Sequence, residues 1–168
     1  MRRKTWDVGN VFAVPLADGT HCLGQVVGRE AQVLNSITCA FYGKRLSETE
    51  LLDVRGTPEI GDLIAVQFIT KELLTRKVWK VVGSFPVTLE KRFFPHEDKR
   101  AQNWIGAKMI GAGIMRRFLN AYFGFEPWNV MVQEDYYDQL LTPGISRPAS
   151  AVVLSSAARE EYRKKLTT

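Results

Sequence analysis

The apolar and polar positions divide the chain into two halves of different period. Through residue 85 the apolar positions come in short runs rich in β-branched and aromatic side chains, which suit a pleated, half-buried surface. Residues 11–16 and 21–28 are two such runs, and Ala17-Asp18-Gly19-Thr20 between them carries the Asp-Gly pair of a hairpin turn. Pro15 has no N–H to give a ladder, so it belongs at an edge or a bulge. Residues 36–42, 63–69 and 78–85 predict further strands, and Trp79 reads as a core strand residue. Ser47-Glu48-Thr49-Glu50 has the spacing of a capping box and predicts a short helix through Asp53. An internal echo, Val8-Gly9-Asn10-Val11-Phe12-Ala13-Val14 against Ile60-Gly61-Asp62-Leu63-Ile64-Ala65-Val66, predicts two turns of one design, with glycine supplying an unusual φ before each strand.

Beyond residue 104 the period lengthens. Residues 104–110 predict a strand holding Trp104. Ile114, Met115, Phe118, Leu119, Tyr122 and Phe123 then fall on one helical face, with Arg116, Arg117 and Asn120 on the other and a stop at Gly124. Residues 130–132 suit a short strand and residues 133–141 a helix, broken by Thr142-Pro143-Gly144. A last helix spans 155–166, with Ser155 or Ser156 as cap and Ala158, Tyr162 and Leu166 four apart. The expected class is α+β: a strand-rich N-terminal part, as a strongly twisted antiparallel sheet or partial barrel, with helices in the C-terminal half. The 168 residues fit one domain spanning 1–168.

Charge changes this picture little. The formal net charge is +5, from 23 Lys and Arg against 18 Asp and Glu. Taking Arg2, Arg3, Lys4, Arg163, Lys164 and Lys165 from the 23 leaves 17 cations against 18 anions, so the excess sits in the tails. A near-neutral body argues against a nucleic-acid partner. No run approaches the ~18 apolar residues of a membrane span, and the basic start lacks the apolar stretch of a signal peptide, so the expected location is the cytoplasm. Cys22 and Cys39 are read as buried reduced thiols.

The inventory for chemistry is thin. His21 and His96 read as exposed polar residues, and His21 points to the opposite strand face from Cys22, which keeps imidazole and thiol apart. Glu97-Asp98 and Glu134-Asp135 diverge as sequence neighbours, and no metal-ligand spacing accompanies them. Gly106, Gly111 and Gly113 have part of a phosphate-loop spacing but lack its Lys-Ser/Thr, so they read as a tight strand-to-helix turn. No catalytic residue, cofactor or metal is expected. One cluster suits a protein partner: Glu134, Asp135, Tyr136, Tyr137 and Asp138 at a helix start, with Trp128 nearby, since tyrosine and tryptophan flanked by charge are common interface anchors.

The ordered set Gly9-Asn10-Val11-Phe12-Ala13-Val14-Pro15-Leu16, Asp18-Gly19, Gly24-Gln25-Val26-Val27, Gly61-Asp62-Leu63-Ile64-Ala65-Val66 and Trp79-Lys80-Val81-Val82-Gly83-Ser84-Phe85-Pro86 resembles immunity protein 26, a family of bacterial polymorphic toxin systems. The likeness runs on through Phe94 and Trp104 and loosely to about Leu141, with the tail from residue 145 outside it. Each motif alone is a turn or a strand, and the order carries the resemblance. Gly9-Asn10 stands where the family pattern usually has Gly-Asp. The resemblance implies an immunity protein (antitoxin) that binds a cognate toxin domain and neutralises it, with no catalytic residue and no cofactor, and it leaves the oligomeric state open. The first hairpin also looks like the small β-barrels of MazF-type ribonucleases and of some nucleic-acid-binding modules. There, Lys44 and Arg45 with either Phe41 or Tyr42 facing out would form the nucleic-acid surface.

Overall fold

A computed structural model describes residues 5–30, 33 and 36–167; Arg2, Arg3 and Lys4 of the basic tail lie outside them. The β-branched runs form β1 (Asn10–Pro15), β2 (His21–Glu30), β3 (Ser36–Leu46), β4 (Leu63–Ile69) and β5 (Lys80–Ser84), and a two-residue β6 (Met109–Ile110) completes the sheet. The strand order is β5-β1-β2-β3-β4-β6. Neighbours are antiparallel except β4–β6, which is parallel. The sheet is therefore mixed and open, with β5 at one end and β6 at the other. The class is α+β, as the periodicity implied.

The β1–β2 hairpin turns where Asp-Gly stands: Gly19 has φ +86°, and the Asp18 carboxylate accepts from both the Thr20 N–H and its hydroxyl. β5 pairs only with Asn10–Ala13 of β1, so Pro15 lies past the end of that ladder, where its missing N–H costs no bond on that side. The two echoed turns differ. Gly9 has φ +96°, whereas Gly61 sits in a 3₁₀ turn over Ile60–Asp62 with ordinary φ, so the shared pattern produces two local solutions.

Both faces of the sheet are covered. On one, Phe12, Ile37, Cys39 and Phe41 pack with Trp79, Trp128 and Tyr137 and with α3 (Ala112–Tyr122), which contributes Met115, Phe118 and Leu119. Phe12 stacks on Trp79 at 5.3 Å, and Phe41 meets both rings edge-on. Gly24 makes room for this stack, since a Cβ there would lie 2.4 Å from Phe12 Cζ. On the other face Val27, Ala40, Tyr42, Leu63 and Val66 lie beneath Val87, Leu89, Phe93 and Phe94. Phe41 and Tyr42 thus point opposite ways and are both buried, because each face has its own lid.

The remaining elements depart from the periodicity in places. Trp79 is buried but precedes β5 in a turn. Only Met109–Ile110 of the strand expected over 104–110 pairs; Trp104 is buried in a turn with φ +63°, after a 3₁₀ segment over Glu97–Gln102. Residues 130–132 form no strand. α1 (Glu48–Leu51) carries the complete Ser47/Glu50 capping box, while α2 (Glu72–Thr75) had no periodic signal at four residues. Asn120, expected on the solvent face of α3, is buried: its side-chain oxygen accepts the Ala17 N–H at 2.8 Å and its amide donates to the Arg116 carbonyl, tying the first hairpin to the helix. α4 is shorter than expected (Tyr136–Leu140), and α5 (Ser156–Leu166) is capped by Ser155. α5 buries no residue, and of the Ala158, Tyr162 and Leu166 stripe only Tyr162 is half-buried.

Candidate partner-binding surface

The six residues expected to meet a partner are split by the fold. Trp128 (0% exposed) and Tyr137 (1%) belong to the core. Tyr137 packs 5.6 Å from both Phe118 and Trp128, and burial pushes its hydroxyl pKa up to about 12. Neither side chain is presented at the surface: in α4 the inward side carries Tyr137 and Leu140, and Trp128 packs beneath them. Tyr136 is half-buried at the rim of the same cluster. Glu134 and Asp135 are exposed, Asp138 is half-buried, and Glu134 reaches Arg159 of α5 at 3.6 Å.

The residues weighed for catalysis stay apart. Cys22 and Cys39 are free thiols on the core side, and burial drives both pKa values up, which disfavours the nucleophilic thiolate. His21 is half-buried rather than exposed; its Nδ1 is enclosed with no hydrogen-bond partner among the described residues. His96 is also half-buried: its Nε2 accepts the Lys108 N–H at 3.3 Å, and burial, helped by Lys99, pulls its pKa down toward the neutral ring. Gly111 stands just ahead of α3, as the strand-to-helix reading has it. No three His, Cys, Asp or Glu among the described residues come together as metal ligands. No described helix is long and apolar enough to cross a membrane. Of the nucleic-acid surface, Lys44 and Arg45 are exposed but the aromatic platform is missing: Phe41 and Tyr42 are buried, and Arg45 is held 3.0 Å from Asp18 beside Phe123 and Phe125.

The structure offers another surface. Beside β5 runs an open trough of about 700 Å³. Pro15 and His21 line it from the sheet, Leu52 and Val54 from the C-cap of α1 and the loop behind it, and Val81 and Val82 from β5. Leu52 is 76% exposed. Lys80, Glu48 and Arg55 complete its charged part, and Val54 and Arg55 separate it from a second hollow of about 410 Å³ that Leu23 and Tyr42 line. Consecutive strand residues Lys80, Val81 and Val82 all line the trough. Val82 is the extra residue of a bulge in β5, opposite the Val11–Phe12 step of β1, and the break in alternation there lets successive residues line one hollow. The capping box foretold α1, but nothing in the sequence says that β5 ends the sheet. That order depends on a pairing across some seventy residues, between Asn10 and Ser84 at its far end.

Together these features define a mixed-sheet α+β domain, lidded on both faces, with an open trough between β5, the first hairpin and α1. The chain belongs to the immunity protein 26 family, whose model matches residues 7–104. It is, at that level, an immunity protein. Neither the curated proteins nor the solved structures return a match. The family match ends well before Leu141; it contains all of the trough and β1 through β5, and it leaves α3, α4 and α5 outside.

Proposed function

We propose that this immunity protein neutralises one cognate toxin domain by direct protein–protein contact, and that the trough beside β5 is the centre of that contact. The observation that carries the reading is the coincidence of the trough with the part of the chain that the family defines. Its character supports the same assignment: exposed Leu52 and Val81 supply apolar area, and Lys80, Glu48 and Arg55 form a mixed-charge rim, the make-up of a protein interface with an apolar centre. Inhibition by occupancy needs no bond-making group on this chain, and a standard interface of roughly 1,600 Å² gives tight binding when a few anchors are well seated.

The test uses the C-terminal domain of the protein encoded immediately upstream. Co-expression of the present chain rescues cells from that domain, and the purified pair co-elutes. Leu52→Asp, at an exposed position, weakens the complex by about 2 kcal/mol, the loss typical of an interface anchor. Rescue and affinity that both survive Leu52→Asp and Val81→Asp remove the trough from the contact. A second reading keeps Glu134, Asp135, Tyr136 and Asp138 as the contact. It is favoured by Val132, 80% exposed beside them, and by the lack of an ion-pair partner for Asp135 and Asp138 among the described residues. Affinity unchanged by Tyr136→Ala retires it.

A further inference from the structure

We infer that the second hollow, across the Val54–Arg55 ridge from the trough, seats a basic side chain of the toxin. This rests on the contact reading above and deepens it by assigning the partner's charge at a named place. Tyr42, Lys44 and Leu46, alternate residues of β3, line the hollow together with Leu23 of β2. Gly43 and Arg45 between them face the other way: a Cβ on Gly43 would meet Ile64 and Tyr122, and Arg45 lies over Phe123 and Phe125. The rest of the lining comes from the segment between α1 and β4, which supplies Glu50, Asp53, Pro58, Glu59 and Asp62.

Two independent features give the occupant its chemistry. The first is charge. Residues 47–62 hold five acids, Glu48, Glu50, Asp53, Glu59 and Asp62, against one cation, Arg55, in a chain whose formal charge is +5. Arg55 donates to the Leu52 carbonyl at 2.8 Å and lies 3.7 Å from Asp53. Glu50 accepts the Ser47 N–H in the capping box, and that bond, helped by Lys44, holds its carboxyl below the ordinary pKa. Glu59 and Asp62 have no ion-pair partner among the described residues, so the unmatched negative charge lies with them. The second feature is Tyr42. It is only 3% exposed, and its hydroxyl has no hydrogen-bond partner among the described residues. Burial pushes its pKa up to about 12, so it is a neutral hydroxyl whose oxygen can accept an N–H. A buried polar group left unpaired costs free energy that an incoming donor recovers. A lysine or arginine brings that donor, a charge for Glu59 and Asp62, and an apolar stem to lie along Leu23 and Pro58.

Affinity of the full chain for the inactivated upstream toxin domain, measured by calorimetry, tests the inference. The expected result is that Glu59→Gln with Asp62→Asn weakens the complex about 10-fold, and that Tyr42→Phe, which keeps the ring and removes only the hydroxyl, weakens it less. Circular dichroism first shows each variant folded. Asp62→Arg weakens binding further, and glutamate in place of one basic residue of the toxin restores it. Affinity unchanged in these variants overturns the seat, and if Leu52→Asp still weakens that complex, direct contact through the trough stands. No complex at all overturns both. Self-association of the protein alone that Glu59→Gln with Asp62→Asn abolishes assigns the hollow to a second copy, whose α5 carries Arg163, Lys164 and Lys165 in its last turn, and likewise overturns the proposal.

Discussion

Arg159 holds the C-terminal helix in place, and removing it tests how that helix is attached. Its side chain is only 14% exposed although α5 buries no residue. The guanidinium donates to the carbonyls of Asn129, Met131 and Val132, and it lies 3.6 Å from the Glu134 carboxylate. In Arg159→Ala those three carbonyls lose a charged donor, each such bond being worth about 1.5–3 kcal/mol. Two of them regain water, because Val132 is exposed and Met131 half-buried, so the lasting penalty falls on the carbonyl of buried Asn129. The Glu134 pair adds little, since that carboxylate is mostly solvated. The expected local loss is about 3 kcal/mol, and at 1.4 kcal/mol per decade that is a roughly 100-fold faster opening of the helix. An 11-residue helix is too short to hold itself in water, so α5 frays once released. Hydrogen exchange of residues 156–166 reads this directly, and Arg159→Lys falls between the two because a lysine cannot span the three acceptors. Exchange in the alanine variant within about 3-fold of wild type refutes the reasoning and means that packing, not the guanidinium, attaches the helix.

The core and the hairpin carry further expectations. Gly24→Ala places a methyl against the Phe12 ring and costs about 1–3 kcal/mol, visible as a lower urea midpoint; an unchanged midpoint means the Phe12–Trp79 stack yields freely. Tyr137→Ala destabilises by about 3 kcal/mol or more, whereas Tyr136→Ala at the rim costs much less, and equal losses refute the placement of Tyr137 in the core. The Thr20 hydroxyl and N–H, with Arg45 beyond them, hold the Asp18 pKa below its ordinary value. A pKa lowered by folding adds stability above the unfolded value and loses it as pH falls through the folded one. The stability difference between wild type and Asp18→Asn therefore shrinks from pH 7 toward about pH 3, and a difference that grows on acidification contradicts the hairpin geometry.

Local chemistry carried far in this chain because several elements need only their own neighbours. The Asp18-Gly19 turn, the Ser47/Glu50 box, the 63–69 strand and the Met115, Phe118 and Leu119 face are each decided within a few residues, and each stands where the pattern put it. Reading failed where partners lie far apart in sequence. Asn120 looked like a surface residue until the Ala17 N–H, 103 positions away, arrived to bond it. Tyr137 and Tyr136 have the same side chain and adjacent positions, and the register of a five-residue helix against Phe118 and Trp128 decides which is core.

The candidate contact surface follows the same division. Its residues sit on segments that periodicity finds: the first hairpin, the capped helix and the 80–84 strand. That they share one trough depends on β5 crossing back to pair with β1 as the last strand of the sheet. The sequence by itself determined the α+β class, most strands, the helix caps and the family to which the chain belongs, because turn chemistry and side-chain period act over a few residues. The tertiary structure alone decided the strand order, the lid on each face of the sheet and the side of the molecule left open, because those follow from which distant apolar surfaces find one another.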